Sequence, residues 1–226
     1  MKYLFAGTIF TSAFLLFLVQ PLIAKQILPW FGGSAAVWSI CLVFFQVLLL
    51  AGYAYSDAVT RRLSARTQAR LHVALLLASL AFLPIVTHPR WKPAGAEDPT
   101  AWILGLLLFT IGLPYFLLST TGPLLQHWLT RTPWGAQVYR YFSLSNLAPL
   151  GALLCYPVLI EPYSTLVHQA LGWSWGYALF VLLCAATALY AVRHVGSAAA
   201  ASAAAAPAPP PRLGEQWLWL TLPALG

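Results

Sequence analysis

Asp57 stands four and five residues ahead of Arg61 and Arg62. At that spacing a carboxylate and a guanidinium sit one helical turn apart and can form a charge-assisted hydrogen bond. The stretch Gly52-Tyr-Ala-Tyr-Ser-Asp57-Ala-Val-Thr-Arg61-Arg62 is therefore a candidate charge cluster, expected in a loop after an apolar helix. A plainer reading competes with it. Basic residues between apolar runs mark the cytoplasmic side of a membrane and need no further role.

The other residues able to do chemistry are neutral polar groups inside apolar runs. In lipid each must find a partner, so their positions are informative. Gln46, Ser119, Thr120, Thr121 and Asn146 are the candidate cavity-lining residues. Pro114 and Pro123 bracket the Ser-Thr-Thr run, remove amide donors, and are expected to kink or end the helix there. The hydroxyls can satisfy the freed carbonyls. A packed kink is favoured over a discontinuous helix lining a cavity. Asn146 precedes Ala148 and Ala152, a small-xxx-small pair suited to close helix contact, and packing is its favoured role.

Several chemistries are not encoded. Gly-x-Ser-x-Gly, His-Glu-x-x-His and paired-acid patterns are missing, which argues against an intramembrane enzyme. Cys41, Cys155 and Cys184 lie in apolar runs without metal spacing and read as small core residues. No catalytic residue, metal site or cofactor is expected in this chain. No Asp, Glu, Lys or Arg is expected at mid-membrane depth, which weakens a proton relay. The five histidines are expected near helix ends, most of them interfacial.

Composition identifies the elements that must hold these residues. Of 226 residues, 60% are hydrophobic and 8% charged, against about 25% charged in a soluble domain. Mean hydropathy is +0.76. A soluble enzyme, a disordered tail and a nucleic-acid-binding domain are excluded, despite a net charge of +7. An all-α, polytopic transmembrane bundle remains.

Residues 3–24, 26–56, 71–89, 99–130, 141–160 and 162–192 carry no Asp, Glu, Lys or Arg. Crossing a ~30 Å hydrocarbon core takes about 20 residues of helix. The runs do not alternate as barrel strands do. Six helices are expected, at 3–24, 35–56, 71–87, 101–121, 142–160 and 172–192. Residues 1–24 are read as helix 1 rather than a signal peptide, because Leu22-Ile23-Ala24 is a poor cleavage site.

Counting alternate sides, Lys2, Arg61, Arg62, Arg66, Arg70, Arg131, Arg140, Arg193 and Arg212 fall together. Lys25, Arg90 and Lys92 fall opposite, with Glu97, Asp98 and Glu161. The positive-inside rule then puts the amino terminus in the cytoplasm. Trp30, Trp91, Trp102, Trp128, Trp134, Trp173 and Trp175 fall near helix ends as an aromatic belt.

Three domains follow: a six-helix unit over 1–195, an Ala/Pro-rich cytoplasmic linker over 196–214, and the start of a seventh helix over 215–226. Six helices, a linker and a new helix is the layout of a transporter built from two halves. The chain is expected to be the front part of a longer protein.

Three stretches together resemble a known family. They are Gln20-Pro-Leu-Ile-Ala-Lys-Gln-Ile-Leu-Pro-Trp-Phe-Gly-Gly-Ser34 continuing to Trp38 and Phe45-Gln46; Gly112-Leu-Pro-Tyr-Phe-Leu-Leu-Ser-Thr-Thr-Gly-Pro-Leu-Leu-Gln126 with Trp128; and Tyr141-Phe-Ser-Leu-Ser-Asn146-Leu-Ala-Pro-Leu-Gly151 running to Tyr156-Pro157 and Glu161-Pro162. The chain is similar over most of residues 10–163 to bacterial integral membrane proteins that fuse a major-facilitator-like helical region to a spermidine-synthase-like domain. The segment from Gly52 to Arg62 also partly resembles the loop between helices 2 and 3 of major-facilitator transporters, with its Gly offset by one residue and a second Gly missing.

The resemblance implies a major-facilitator-like half in the bacterial inner (plasma) membrane. It also implies a downstream Rossmann-like domain that would bind an adenosyl-sulfur cofactor and an amine. No Gly-x-Gly-x-x-Gly turn of such a domain stands in these residues. The expected function is a membrane platform for that absent synthase-like domain. The alternative is the N-terminal half of a major-facilitator-type secondary transporter for a small solute, an amine among the candidates. Expected partners are the lipid bilayer and the remaining helices and C-terminal domain of the full-length protein, with no nucleic acid.

Overall fold

The computed structural model describes the backbone of residues 2–93, 98–130 and 138–202, and side chains within 3–93, 98–130 and 143–193. The expected linker beyond residue 202 and the start of a seventh helix lie outside the described residues. So do Trp134, Glu97, Arg131 and Arg212, and the side chains of Lys2 and Arg140.

Among the described residues every regular element is a helix, and no strand is present. Helix α1 spans Lys2–Phe31 and α2 Ala35–Arg62. Helix α3 spans Ala65–Ser79, followed by a 3-10 turn over Leu80–Phe82. Helix α4, Pro99–Leu107, passes through a π turn at Leu108–Gly112 into α5, Leu113–Thr130. Helix α6, Val138–Cys155, ends in a second π turn at Tyr156–Ile160, and α7 spans Leu166–Ser202.

Local chemistry sets the boundaries. Gly32, with φ of 75°, takes the left-handed conformation open to a residue without Cβ and donates its amide to the Leu28 carbonyl at 2.9 Å, closing α1. Ser34 and Ser64 cap α2 and α3 by accepting from the amides of Val37 and Thr67 at 3.4 and 3.3 Å. Arg61 and Arg62 occupy the last turn of α2, where the helix dipole favours cations. Pro114 lies just after one π turn and Pro157 lies within the other. A proline lacks an amide donor and crowds the carbonyl one turn back, and a wider turn relieves both.

Five segments are long and apolar enough to cross a membrane: Tyr3–Phe31, Ala35–Arg62, Pro99–Thr130, Ser143–Ile160 and Leu166–Arg193. The segment expected as helix 3 is a correction. Its helix begins at Ala65 rather than 71 and stops at Phe82, and Pro84 follows. The N-cap supplied by Ser64 starts the helix early, in a polar stretch holding Arg66, Gln68 and Arg70. That polarity keeps it out of the apolar class.

Contacts nevertheless show α3 running from one end of the bundle to the other. At one end Ala69 clusters with Phe5, Ile9, Leu124, Trp128, Ala188 and Ala191. Toward the other, Ser79 shares a hydrogen bond with Tyr177 at 2.7 Å. Just beyond α3, the Ile85 carbonyl accepts from Gln26 Nε2 at 3.2 Å. The 15-residue helix and its 3-10 turn rise roughly 28 Å together.

Polar side chains stitch the crossings. Thr8 and Thr187 pair at 3.0 Å, Ser12 Oγ donates to the Leu118 carbonyl at 3.1 Å, and Trp173 Nε1 donates to the Leu15 carbonyl at 3.0 Å. Trp128 Nε1 donates to Gln68 Oε1, also at 3.0 Å. Trp128 and Trp173 are thus buried tie points rather than members of an aromatic belt, whereas Trp175 is exposed. His72 is fully buried beside Trp128, not interfacial.

The outer surface carries many exposed large apolar residues, among them Leu42, Val43, Val47 and Leu50 on α2 and Leu147, Leu154, Val158 and Leu159 on α6. Leaving one leucine in water forgoes about 1.5–3 kcal/mol, a cost that lipid removes.

Candidate functional site

Helices α2 and α6 flank a groove with α1 along its floor. Two cavities of about 430 Å³ each lie in it. The one nearer the amino-terminal end of α1 is lined by Ser12, Tyr53, Ser119, Gln126, Ser145 and Asn146, among others. The other is lined by Gln20, Lys25, Trp38, Phe45, Leu153 and Glu161, among others.

The candidate residues do not all converge here. Ser119 and Asn146 share the first cavity, from α5 and α6 respectively. Ser119 Oγ donates to the Phe116 carbonyl at 2.7 Å and lies 3.3 Å from the Leu48 carbonyl of α2, so it ties two helices as well as lining the groove. Thr120 and Thr121 are fully buried and donate to the Leu117 carbonyl at 2.8 and 2.7 Å. They line neither cavity, and neither reaches the carbonyl of Ser119 that Pro123 leaves without its helical donor. Gln46 is exposed on the outer face of α2, away from both cavities.

The charge cluster is helical rather than a loop, because α2 continues through Arg62. Arg61 Nε donates to Asp57 Oδ1 at 2.7 Å. Both side chains are more than half exposed, which holds the pair to roughly 0.3–0.5 kcal/mol. Arg62 is exposed beside them. The cluster sits at the end of the bundle that also carries Arg66, Arg70 and Arg193, away from the Lys25 cavity.

Lys25 and Glu161 are what sequence reasoning missed. Sequence places both among the loop charges of one side, the side opposite the arginine-rich one. Lys25 lies inside α1, six residues before its end, and its Nζ donates to Glu161 Oε1 at 2.6 Å. The two are 136 residues apart in sequence. Their side chains are 35% and 41% exposed, so the pair stands in the cavity wall rather than in the core. Next to it, Gln20 Nε2 donates to the Tyr115 hydroxyl at 3.3 Å, and the Tyr156 hydroxyl donates to Gln169 Oε1 at 3.3 Å. The sequence sign was placement: both charges fall within the stretches that carry the family resemblance.

On the far side of the bundle, Arg90, Trp91, Trp102 and Phe109 form an aromatic cluster. Gly105 makes room for it, since a Cβ there would come within 2.7 Å of the Trp91 ring. Asp98 caps α4, its Oδ1 accepting from the Thr100 amide at 2.9 Å. Hydrogen bonds from the Thr100 side chain and amide hold the Asp98 carboxyl below its ordinary range.

Among the described residues no three His, Cys, Asp or Glu side chains come together as metal ligands. What the groove offers is binding: an apolar channel with neutral polar groups in one half and a paired cation and anion in the other. Comparison with protein-family models, with curated proteins and with solved structures returns no match.

Proposed function

We propose that this chain is the membrane-embedded region of a transporter-like protein. In this reading it is a six-pass, major-facilitator-like half in the bacterial inner membrane, with its amino terminus in the cytoplasm, serving as platform for a spermidine-synthase-like domain downstream. The observation that carries it is the groove. Its walls, α2 and α6, are the least buried of the membrane-length helices, which leaves that face open to lipid or to further helices. The family-like stretches around Gln20, Ser119 and Asn146 meet there.

Helix pairing supports the half-transporter architecture. α1 packs most extensively on α6, and α2 on α5. Counting α4 and α5 as one pass, superposing the first three passes on the last three exchanges these two pairs. That is the pattern of nested inverted repeats. Charge placement supports the orientation, with Arg61, Arg62, Arg66, Arg70 and Arg193 at the amino-terminal end of α1.

A second reading, transport of a small solute, is favoured by the polar lining of the groove. One experiment separates the two. The full-length protein is reconstituted in vesicles and assayed for amine uptake and for aminopropyl transfer. Transfer without uptake supports the platform. Uptake without transfer rejects it and leaves the transporter half.

A further inference from the structure

The Lys25–Glu161 pair differs from the other ion pair among the described residues, Arg61–Asp57. That one is local, i to i+4, and exposed on a helix. Lys25–Glu161 joins α1 to the end of α6 and forms part of a cavity wall. Lys25 Nζ has three N–H donors, and one goes to Glu161 Oε1. Two donors and the second carboxylate oxygen are left over at the cavity.

Apart from Gln20 and Tyr156 the rest of the lining is apolar, with Trp38, Leu42, Phe45 and Leu153 among it. Leu42 and Leu153 are also exposed on the outside of the bundle, so the apolar wall runs on to the lipid-facing surface.

A ligand with a single charge would satisfy one partner and strand the other in a partly desolvated wall. A ligand carrying both an ammonium and an anionic oxygen would satisfy Glu161 and Lys25 together and leave no charge alone. Its apolar body would lie on Trp38 and Leu153. We infer that this cavity binds an amphipathic zwitterion with a primary ammonium, an anionic oxygen and an apolar body. Two sources present that chemistry: a phosphoethanolamine lipid headgroup, or a free apolar amino acid. The inference needs the membrane setting proposed above but neither the platform nor the transport role.

The test uses the whole chain in detergent micelles, first confirmed to fractionate with carbonate-washed membranes. Failure at that step rejects the membrane reading and not this site. Binding of tritiated phosphatidylethanolamine is then competed with phosphatidylcholine and phosphatidylglycerol of the same acyl chains. Free phenylalanine is tested in a parallel arm. A quaternary ammonium cannot donate to Glu161, and a glycerol headgroup has no cation. Phosphatidylethanolamine should therefore bind about tenfold more tightly than either, the worth of one charge-assisted hydrogen bond.

Glu161→Gln and Lys25→Met should abolish the preference. Leu153→Trp, which fills the cavity without touching the ion pair, should abolish binding with the melting temperature unchanged. The reversed pair, Lys25→Glu with Glu161→Lys, should restore the preference and remains informative where a single variant does not fold. Phenylalanine binding that Leu153→Trp abolishes, with no lipid preference, assigns the site to a free zwitterion. Equal binding of the three lipids with no binding of phenylalanine overturns the inference, as does a preference that survives Leu153→Trp.

Discussion

Gly52 on α2 faces Ser119 on α5 at a helix crossing with no room for a side chain. A Cβ at position 52 would overlap the Ser119 hydroxyl and stand 2.9 Å from the Ser119 Cβ and 3.2 Å from the Thr120 amide nitrogen. The crossing joins one wall of the groove, α2, to α5, and the Ser119 hydroxyl reaches across it to the Leu48 carbonyl. Close approach of this kind lets membrane helices pack by dispersion and short hydrogen bonds where no hydrophobic force drives them together.

Gly52→Ala should therefore destabilise the bundle by about 1–3 kcal/mol, the usual cost of overpacking. Ser119→Gly should cost less and should recover most of that loss when combined with Gly52→Ala. Thermal unfolding of the four proteins in detergent forms the double-mutant cycle. Additive effects would show that the two positions do not meet.

Gln68 and Trp128 give a second measurable tie. Gln68 is fully buried, accepts the Trp128 indole N–H at 3.0 Å and donates to the Leu63 carbonyl at 2.8 Å. Gln68→Leu leaves a buried indole donor and a carbonyl without partners and should cost about 1–3 kcal/mol. Trp128→Phe in the Gln68→Leu background should be less damaging than Trp128→Phe alone, read from unfolding midpoints.

The ends of α3 report topology. With Cys41, Cys155 and Cys184 replaced by Ala, single cysteines at Arg66 and Lys92 should label from opposite faces of sealed vesicles. Lys92 should be the external one. Labelling of both from one face would mean that α3 does not cross, and the proposed orientation would fail with it.

Asp98 supplies a pH dependence. Its carboxyl is depressed in the folded chain, so its contribution is present above the unfolded value, about 3.9. The contribution is lost as pH falls through the folded value below that. Amide exchange at Thr100 and Ala101 should quicken selectively across that acid range. Asp98→Asn should flatten the response while keeping a cap.

Much was legible in the residues alone. Charge-free runs in a chain with 8% charge demanded membrane-length helices, because backbone amides in lipid must be bonded within the segment. The prolines told less: Pro123, expected to kink or end its helix, lies inside α5, and Pro21, Pro29 and Pro149 also lie inside helices. The third helix starts at Ala65, ahead of the expected 71, because its N-cap and first turns are polar and lie outside the charge-free run. Gln46 and Thr120 looked alike in sequence, as polar residues in apolar runs. Their fates, exposed on α2 or buried against a carbonyl of their own helix, depend on which way each helix is turned.

Lys25 and Glu161 mark the division most clearly. Sequence could set the charge, length and crossing pattern of each segment, because those follow from local composition and the thickness of a bilayer. It could not say that residues 136 positions apart would meet in a 2.6 Å ion pair in the wall of a cavity. That was settled by how α1 and α6 lie together, where the fully buried Ala148 and Ala152 let α6 approach its neighbours. Only long-range packing energy selects such a rotation and register.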